Sequence, residues 1–333
     1  MNRVERVNAA LRGEQVDHVP VSFWGHSYLR EWSSEGLAGA MLDSYRAHNW
    51  DFIKVNPRAS YHVEDWGAKL QPSGDANRGP TFVDVPVKGP ADWRRIGPLD
   101  PVAGVLGEQL AALRLVNDAL GGDAWFVQTV FSPLSVAKYL VGNKPGPVVD
   151  SIREHPEDLK QALETITETF AAYARACIDA GAAGIFFATT GWATRAALSQ
   201  EEYLRFGREY DLRVLAAVQD GAPFNILHNC GADIYFDLLA DYPVSAMSWA
   251  STLPGNPTLA EGMRRTRAAV MGGVNEKTTL ADGTPAEVEA EVRQAIQQTG
   301  GRHVLIAPGC SIPPRTPPAN LNAASRAVRE VSH

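Results

Sequence analysis

The stretch Asp179-Ala180-Gly181-Ala182-Ala183-Gly184-Ile185-Phe186-Phe187-Ala188-Thr189-Thr190 carries a helix end straight into a strand. Upstream, residues 156–180 read as one long helix, and Gly181 stands where a C-terminal glycine closes a helix in the left-handed conformation. Downstream, 184–190 is apolar, aromatic and β-branched with no polar alternation, as in a strand buried on both faces. A helix feeding such a strand is the repeating half of a parallel α/β sheet.

Seven similar runs lie outward from this one, at 19–24, 52–56, 125–131, 224–230, 246–251, 269–275 and 303–310. Helical stretches separate them, including 200–219 and 285–298. The second of these opens Thr284-Pro285-Ala286-Glu287, an N-cap, a first-turn proline and a first-turn acid. Eight strands alternating with helices predict an α/β fold, a (β/α)8 TIM barrel, and 333 residues suit one such domain over 1–333. The rhythm breaks between residues 58 and 101, which are rich in Gly, Pro and Asp. This is an elaborated loop after the second strand, with a hairpin expected around 81–87. Loops leaving the C-terminal ends of barrel strands shape the active site.

A net charge of −7 excludes a clustered basic face for nucleic acid. The densest basic run, Arg264-Arg265 with Arg267, reads as a solvated helix face. No apolar run approaches the ~18 residues of a membrane span. The first residues read as an amphipathic helix rather than a secretion signal. Three cysteines are too few for a disulfide scaffold, so a reducing, cytoplasmic setting with free thiols is expected. Neither a phosphate loop nor a serine-hydrolase elbow occurs.

His228 and Cys230 stand two apart at the end of the fifth predicted strand, so both side chains project from one face. Cys310 ends the eighth. Imidazole with two thiolates suits Zn²⁺ and leaves a fourth position open. The competing reading is packing, since a free cysteine near a strand end is usually a buried hydrophobe. Cys177, in the middle of a helix, reads that way.

Other candidates follow from strand ends. Glu276 is a candidate proton acceptor or transient fourth ligand, or else a helix-start acid. His26, Asn56, Arg58 and Tyr61 are candidates for the substrate pocket, and Gln128 for a polar contact inside the barrel. Trp192 and Trp249 could wall the site or stack on a flat ligand, with rim packing as the alternative. Gly272-Gly273 marks a close-approach point near a ligand.

The chain resembles the uroporphyrinogen decarboxylase superfamily, in particular its cobamide-dependent methyltransferases. The resemblance rests on His228-Asn229-Cys230 with Cys310, on the opening Arg3-Val4-Glu5-Arg6 to Asp17-His18-Val19-Pro20, and on Met271-Gly272-Gly273-Val274-Asn275. It extends to Pro308-Gly309-Cys310-Ser311-Ile312-Pro313-Pro314 and Thr316-Pro317-Pro318-Ala319-Asn320-Leu321. It implies a zinc that binds and activates a thiol substrate, a corrinoid (cobamide) carried by a partner protein, and a homodimer. A thiol of pKa ~8.5 would be deprotonated on the metal and exchange a methyl group with the corrinoid. The decarboxylase branch, metal-free and acting on a carboxylated tetrapyrrole or aromatic, is the alternative. After the first strand it would want several arginines, where 23–30 offers Arg30 alone.

Overall fold

The computed structural model describes residues 1–330. Nine strands are formed: β1 (Phe52–Val55), β2 (Lys69–Gln71), β3 (Thr81–Asp84), β4 (Trp125–Phe131), β5 (Gly184–Thr190), β6 (Ile226–Asn229), β7 (Ala246–Trp249), β8 (Ala269–Val274) and β9 (Val304–Pro308). All but β2 and β3 form one parallel sheet in the order β1-β4-β5-β6-β7-β8-β9. The seven strands are almost wholly buried, in keeping with their apolar runs between a helical layer and the sheet interior.

The expected first strand at 19–24 is not a regular strand. Pro20 has no N–H to give a ladder, and the Val21 N–H is taken by the Asp51 carboxylate at 2.9 Å. Only isolated bridges remain, Val21 to Ile306 and Gly25 to Ile312. Even so, Ile306 of β9 donates to the Pro20 carbonyl and accepts from Ser22, while the Asp51 N–H donates to the Val21 carbonyl. Residues 20–22 are therefore hydrogen-bonded to β9 on one side and to the approach of β1 on the other.

The helices obey their sequence signals with two exceptions. Helix Pro156–Asp179 buries Leu159, Leu163, Ile166, Phe170, Tyr173 and Cys177 at three- and four-residue spacing. Gly181 then turns the chain at φ +100°. Helix Pro285–Thr299 is closed at its start by the reciprocal Thr284–Glu287 capping box. The helix expected over 200–219 is instead interrupted by a π-helical turn at Leu204–Arg208. There the Tyr203 ring lies against Gly207, where a Cβ would come within 2.5 Å of it. The arginines at 264, 265 and 267 fall beyond the end of helix Leu259–Met263 rather than on a helix face, and Arg265 pairs with Asp237.

The excursion after β1 contains the antiparallel hairpin β2–β3. Its Gly79 packs against the Tyr28 ring, and the Val87 N–H donates to the Leu140 carbonyl. No helix is long and apolar enough to cross a membrane among the described residues.

Candidate metal centre

Alternation along β6 decides which side chains meet. His228 shares the inner face with Phe186 and Ser248 of the flanking strands, through the pairings Phe186 to Ile226 and His228 to Ser248. Asn229 points the other way, and its side-chain oxygen accepts from Thr189 at 2.7 Å. Beyond the strand, the Cys230 N–H donates to the Thr190 carbonyl at 2.7 Å. Thr190 holds φ +51° where the β5–β6 register shifts, a costly conformation for a β-branched residue. That bulge lies on β5 and brings the Thr190 carbonyl to Cys230, whose i, i+2 spacing already puts it on the same side as His228.

Cys310 arrives from β9. Gly309 before it tolerates no side chain: a Cβ would lie 2.8 Å from a Glu276 carboxylate oxygen and 2.9 Å from Ala250. The result is a compact triad. His228 Nε2 is 2.9 Å from Cys230 Sγ, and Cys230 Sγ is 3.3 Å from Cys310 Sγ. The three ligand atoms all lie within 4.8 Å of one another. The sulfurs are far beyond the ~2.05 Å of a disulfide and are free thiols. His228 Nδ1 meets Ser248 Oγ at 3.1 Å, which leaves Nε2 turned to the sulfurs.

The sulfur pair shares a proton unequally. Hydrogen bonding from Cys230, then contact with His228, holds Cys310 well below the usual thiol range, and the same bond with burial pushes Cys230 well above it. One imidazole and two sulfurs, one of them readily anionic, are the donor set of a thiophilic metal such as zinc. Around Zn²⁺ tetrahedral sulfurs stand ~3.8 Å apart, so a small spreading of the pair would admit the ion.

Glu276 is buried, and burial raises its carboxyl above the usual range, with Cys310 adding to the rise. His26 accompanies the chain that Ile312 bonds to through the Trp24 carbonyl. It stacks on Tyr28 and pairs with the buried Glu31 at 3.0 Å, lining a cavity of about 220 Å3 that also reaches Lys54. Asn56 is buried with an unpartnered side-chain nitrogen. Trp192 is buried, its indole nitrogen unpartnered, beside a second cavity of about 610 Å3 lined by Lys138 and Thr190.

Other expected pocket residues turn elsewhere. Arg58 directs its guanidinium to Glu64, Glu108 and the Glu31 carbonyl. Tyr61 is fully buried and donates to the Thr129 carbonyl. Gln128 does not face the interior: β4 places Thr129 level with Phe186, so Gln128 points outward and bonds Tyr173 of the helical layer. Trp249 also faces away from His228, sealed against Phe236 and Gly262 with its indole on the Pro257 carbonyl. The space at Gly273, φ +103°, is taken by Ala295 rather than kept for a ligand.

Sequence reasoning passed over Lys54 and Ser248. Lys54 is a buried ammonium on β1, and burial lowers it to about 7. The groups acting against that fall are Cys310 and Cys230. A charge inside the apolar run 52–56 was the available signal. For Ser248 it was the strand neighbouring His228.

Comparison with known proteins places the whole chain beside methyltransferases and decarboxylases. The chain is 26% identical over 336 residues to Methylcobamide:CoM methyltransferase MtaA of Methanosarcina barkeri, covering 96% of this chain and 95% of that protein. It is 28% identical over 263 residues to a uroporphyrinogen decarboxylase of a Synechococcus strain, covering 77% and 72%. A solved methyltransferase from Methanosarcina mazei superposes with a TM-score of 0.85 at 25% identity, over 99% of each chain. A B12-independent methionine synthase from a Shewanella strain shares the fold, at a TM-score of 0.61 and 14% identity over 89% of this chain and 87% of that one. The family described as uroporphyrinogen decarboxylase (URO-D) matches residues 2–331, and the chain belongs to that family.

Proposed function

We propose that this chain is a zinc-dependent methyltransferase that moves a methyl group between a corrinoid on a partner protein and a thiol. Residues 20–22 complete the ring between β9 and β1, so the whole chain is read as a single closed barrel with the triad at its mouth. The observation that carries the reading is the convergence of His228, Cys230 and Cys310, brought from β6 and β9 to within 4.8 Å. His228, Cys230 and Cys310 hold Zn²⁺, which supplies the Lewis acidity that makes a thiol a thiolate at neutral pH.

The chain's own groups then have definite tasks. Ser248 fixes the imidazole so that Nε2 faces the sulfurs. Glu276, packed against Gly309, accepts the thiol's proton. His26 lines the cavity that reaches Lys54, Asn56 bonds the Lys54 ammonium, and Trp192 walls the cavity beside Thr190. The corrinoid on the partner protein would supply or accept the methyl group that the thiol sulfur carries.

A second reading, metal-free decarboxylation, is favoured by the identity with the Synechococcus decarboxylase. It would require free cations for a polycarboxylate. Arg58 is saturated by two glutamates and Arg30 pairs with Asp43. Protein purified without chelators should carry about one zinc per chain and transfer methyl from methylcobalamin to a thiol. Carbon dioxide release that survives His228→Ala, with no stoichiometric metal, would decide for the second reading.

A further inference from the structure

Lys54 is buried in the middle of β1. Its ammonium donates to the Asn56 side-chain oxygen and sits 4.7 Å from the centre of the Phe186 ring and 5.8 Å from that of Trp24. Phe186 in turn lies 4.9 Å from the His228 ring. The two other buried cations in such surroundings, Arg6 and Arg58, each grip two carboxylates. No carboxylate lies within ion-pair distance of Lys54 among the described residues; the Phe186 ring links it toward His228, the groups that favour its charged form are Cys310 and then Cys230, and Lys138 is the other cation acting on Cys230. An ammonium taken out of water without a counter-ion is strongly penalised, so its retention points to an anion supplied by the sulfur cluster.

We infer that Lys54, with Lys138 on the Cys230 side, is a counter-charge of the sulfur cluster and makes its open ligand position select an anionic thiolate over a neutral ligand. The inference rests on the zinc reading above. Two thiolates cancel the charge of Zn²⁺, and a neutral imidazole adds none. A substrate thiolate brings the cluster to one negative charge, which Lys54 balances across a low-dielectric interior. A thiol entering the site gives its proton to solvent through Glu276 and keeps its electron pair for the metal. Once methylated, the same sulfur is a neutral thioether. The charge that favoured the substrate then disfavours the product, so Lys54 biases exchange in the direction of release.

The test uses the full chain with cobalt in place of zinc, comparing wild type with Lys54→Met and Lys54→Arg. The probes are 2-mercaptoethanol, a thiol whose tail carries no charge for Lys54 to hold, and imidazole as a neutral ligand. Cobalt absorption reads the binding of each across pH. For Lys54→Met the expected result is thiol binding about tenfold weaker at pH 7, with its pH midpoint raised by about one unit. Imidazole binding should be unchanged or tighter, and Lys54→Arg should restore much of the thiol affinity. Should Lys54→Met disturb the near-ultraviolet circular dichroism, Lys54→Gln carries the same expectation. Equal losses for thiol and imidazole, or no loss for either, would overturn the counter-charge. Wild-type cobalt protein without sulfur-to-metal charge-transfer bands would instead remove the zinc reading, and the inference with it.

Discussion

Buried charge is handled in opposite ways at the two ends of the sheet. At the strand starts, Arg6 of helix Arg3–Leu11 bonds Asp17 at 2.7 Å and Asp51 at 2.8 Å, while Asp51 also accepts the Val21 N–H. Every charge there has an opposite within reach, and the hydrogen bonds from Arg6 hold Asp17 well below the ordinary carboxylate range. At the strand ends, Lys54 has an amide and two aromatic faces, and the sulfurs have an imidazole. The first cluster is closed and ties the opening helix to the sheet. The second leaves its ammonium and sulfurs without an opposite charge in contact, and the proposed metal and ligand would complete it.

Mutation should separate the ends sharply. Cys310→Ala should lose stoichiometric metal and lower methyl transfer by more than about 100-fold, the upper limit for losing a mere outer partner. Against metal-free wild type its urea midpoint should hardly move, because Cys310 is only half-buried and braces no strand. Arg6→Ala should do the reverse. Stranding Asp51 inside costs on the order of 3 kcal/mol, readable as a lower urea midpoint, while the folded fraction still binds metal. If Arg6→Ala lost metal at full stability, or Cys310→Ala unfolded, the division between the ends would be mistaken.

The same contrast explains what could be read in advance. β4 and β5 occupy the spans their uninterrupted runs mark, and the i, i+2 spacing of His228 and Cys230 gave their common face. The run at 19–24 was legible but its irregular pairing was not, because its hydrogen bonds run through Pro20 and the Asp51 side chain. Gln128 went to the wrong face because a strand buried on both sides has no alternation to set its phase. Lys54 escaped notice for a related reason. A lone lysine in a strand reads as a solvated residue until the fold shows β1 buried along its whole length.

Asp211 is a useful challenge to the rule that an unpaired buried charge marks a working site. It lies fully buried under the π-helical turn, receiving the hydroxyls of Tyr203 and Tyr242, while nearby Arg208 turns to Asp241. Burial raises its carboxyl to about 7. The folded chain therefore keeps a proton that the unfolded chain releases near pH 4. This contribution to stability is complete below about pH 4 and is lost as pH rises through 7. Asp211→Asn should flatten that fall by roughly 1 kcal/mol per pH unit over this window, measured by urea unfolding from pH 4 to 8. An unchanged slope would mean that Asp211 stays ionised, and with it an unpaired buried charge outside any site.

Ser248 offers the finest test of the strand-end cluster. Metal-binding imidazoles are commonly oriented by a carboxylate, which also makes them more basic. His228 has a neutral hydroxyl instead, at 3.1 Å. A carboxylate there would add a second negative charge beside sulfurs that only Lys54 and Lys138 offset, so the hydroxyl suits a cluster of limited negative charge. Ser248→Ala should weaken metal affinity by about tenfold through loss of the fixed tautomer, read by competition with a chromophoric chelator. Ser248→Asp should bind metal at least as tightly as wild type but bind thiols less well, since the added charge competes with the thiolate for Lys54. If Ser248→Asp bound thiols more tightly, the cluster would tolerate more negative charge than these ammonium groups can balance, and the asymmetry between the two ends would need another cause.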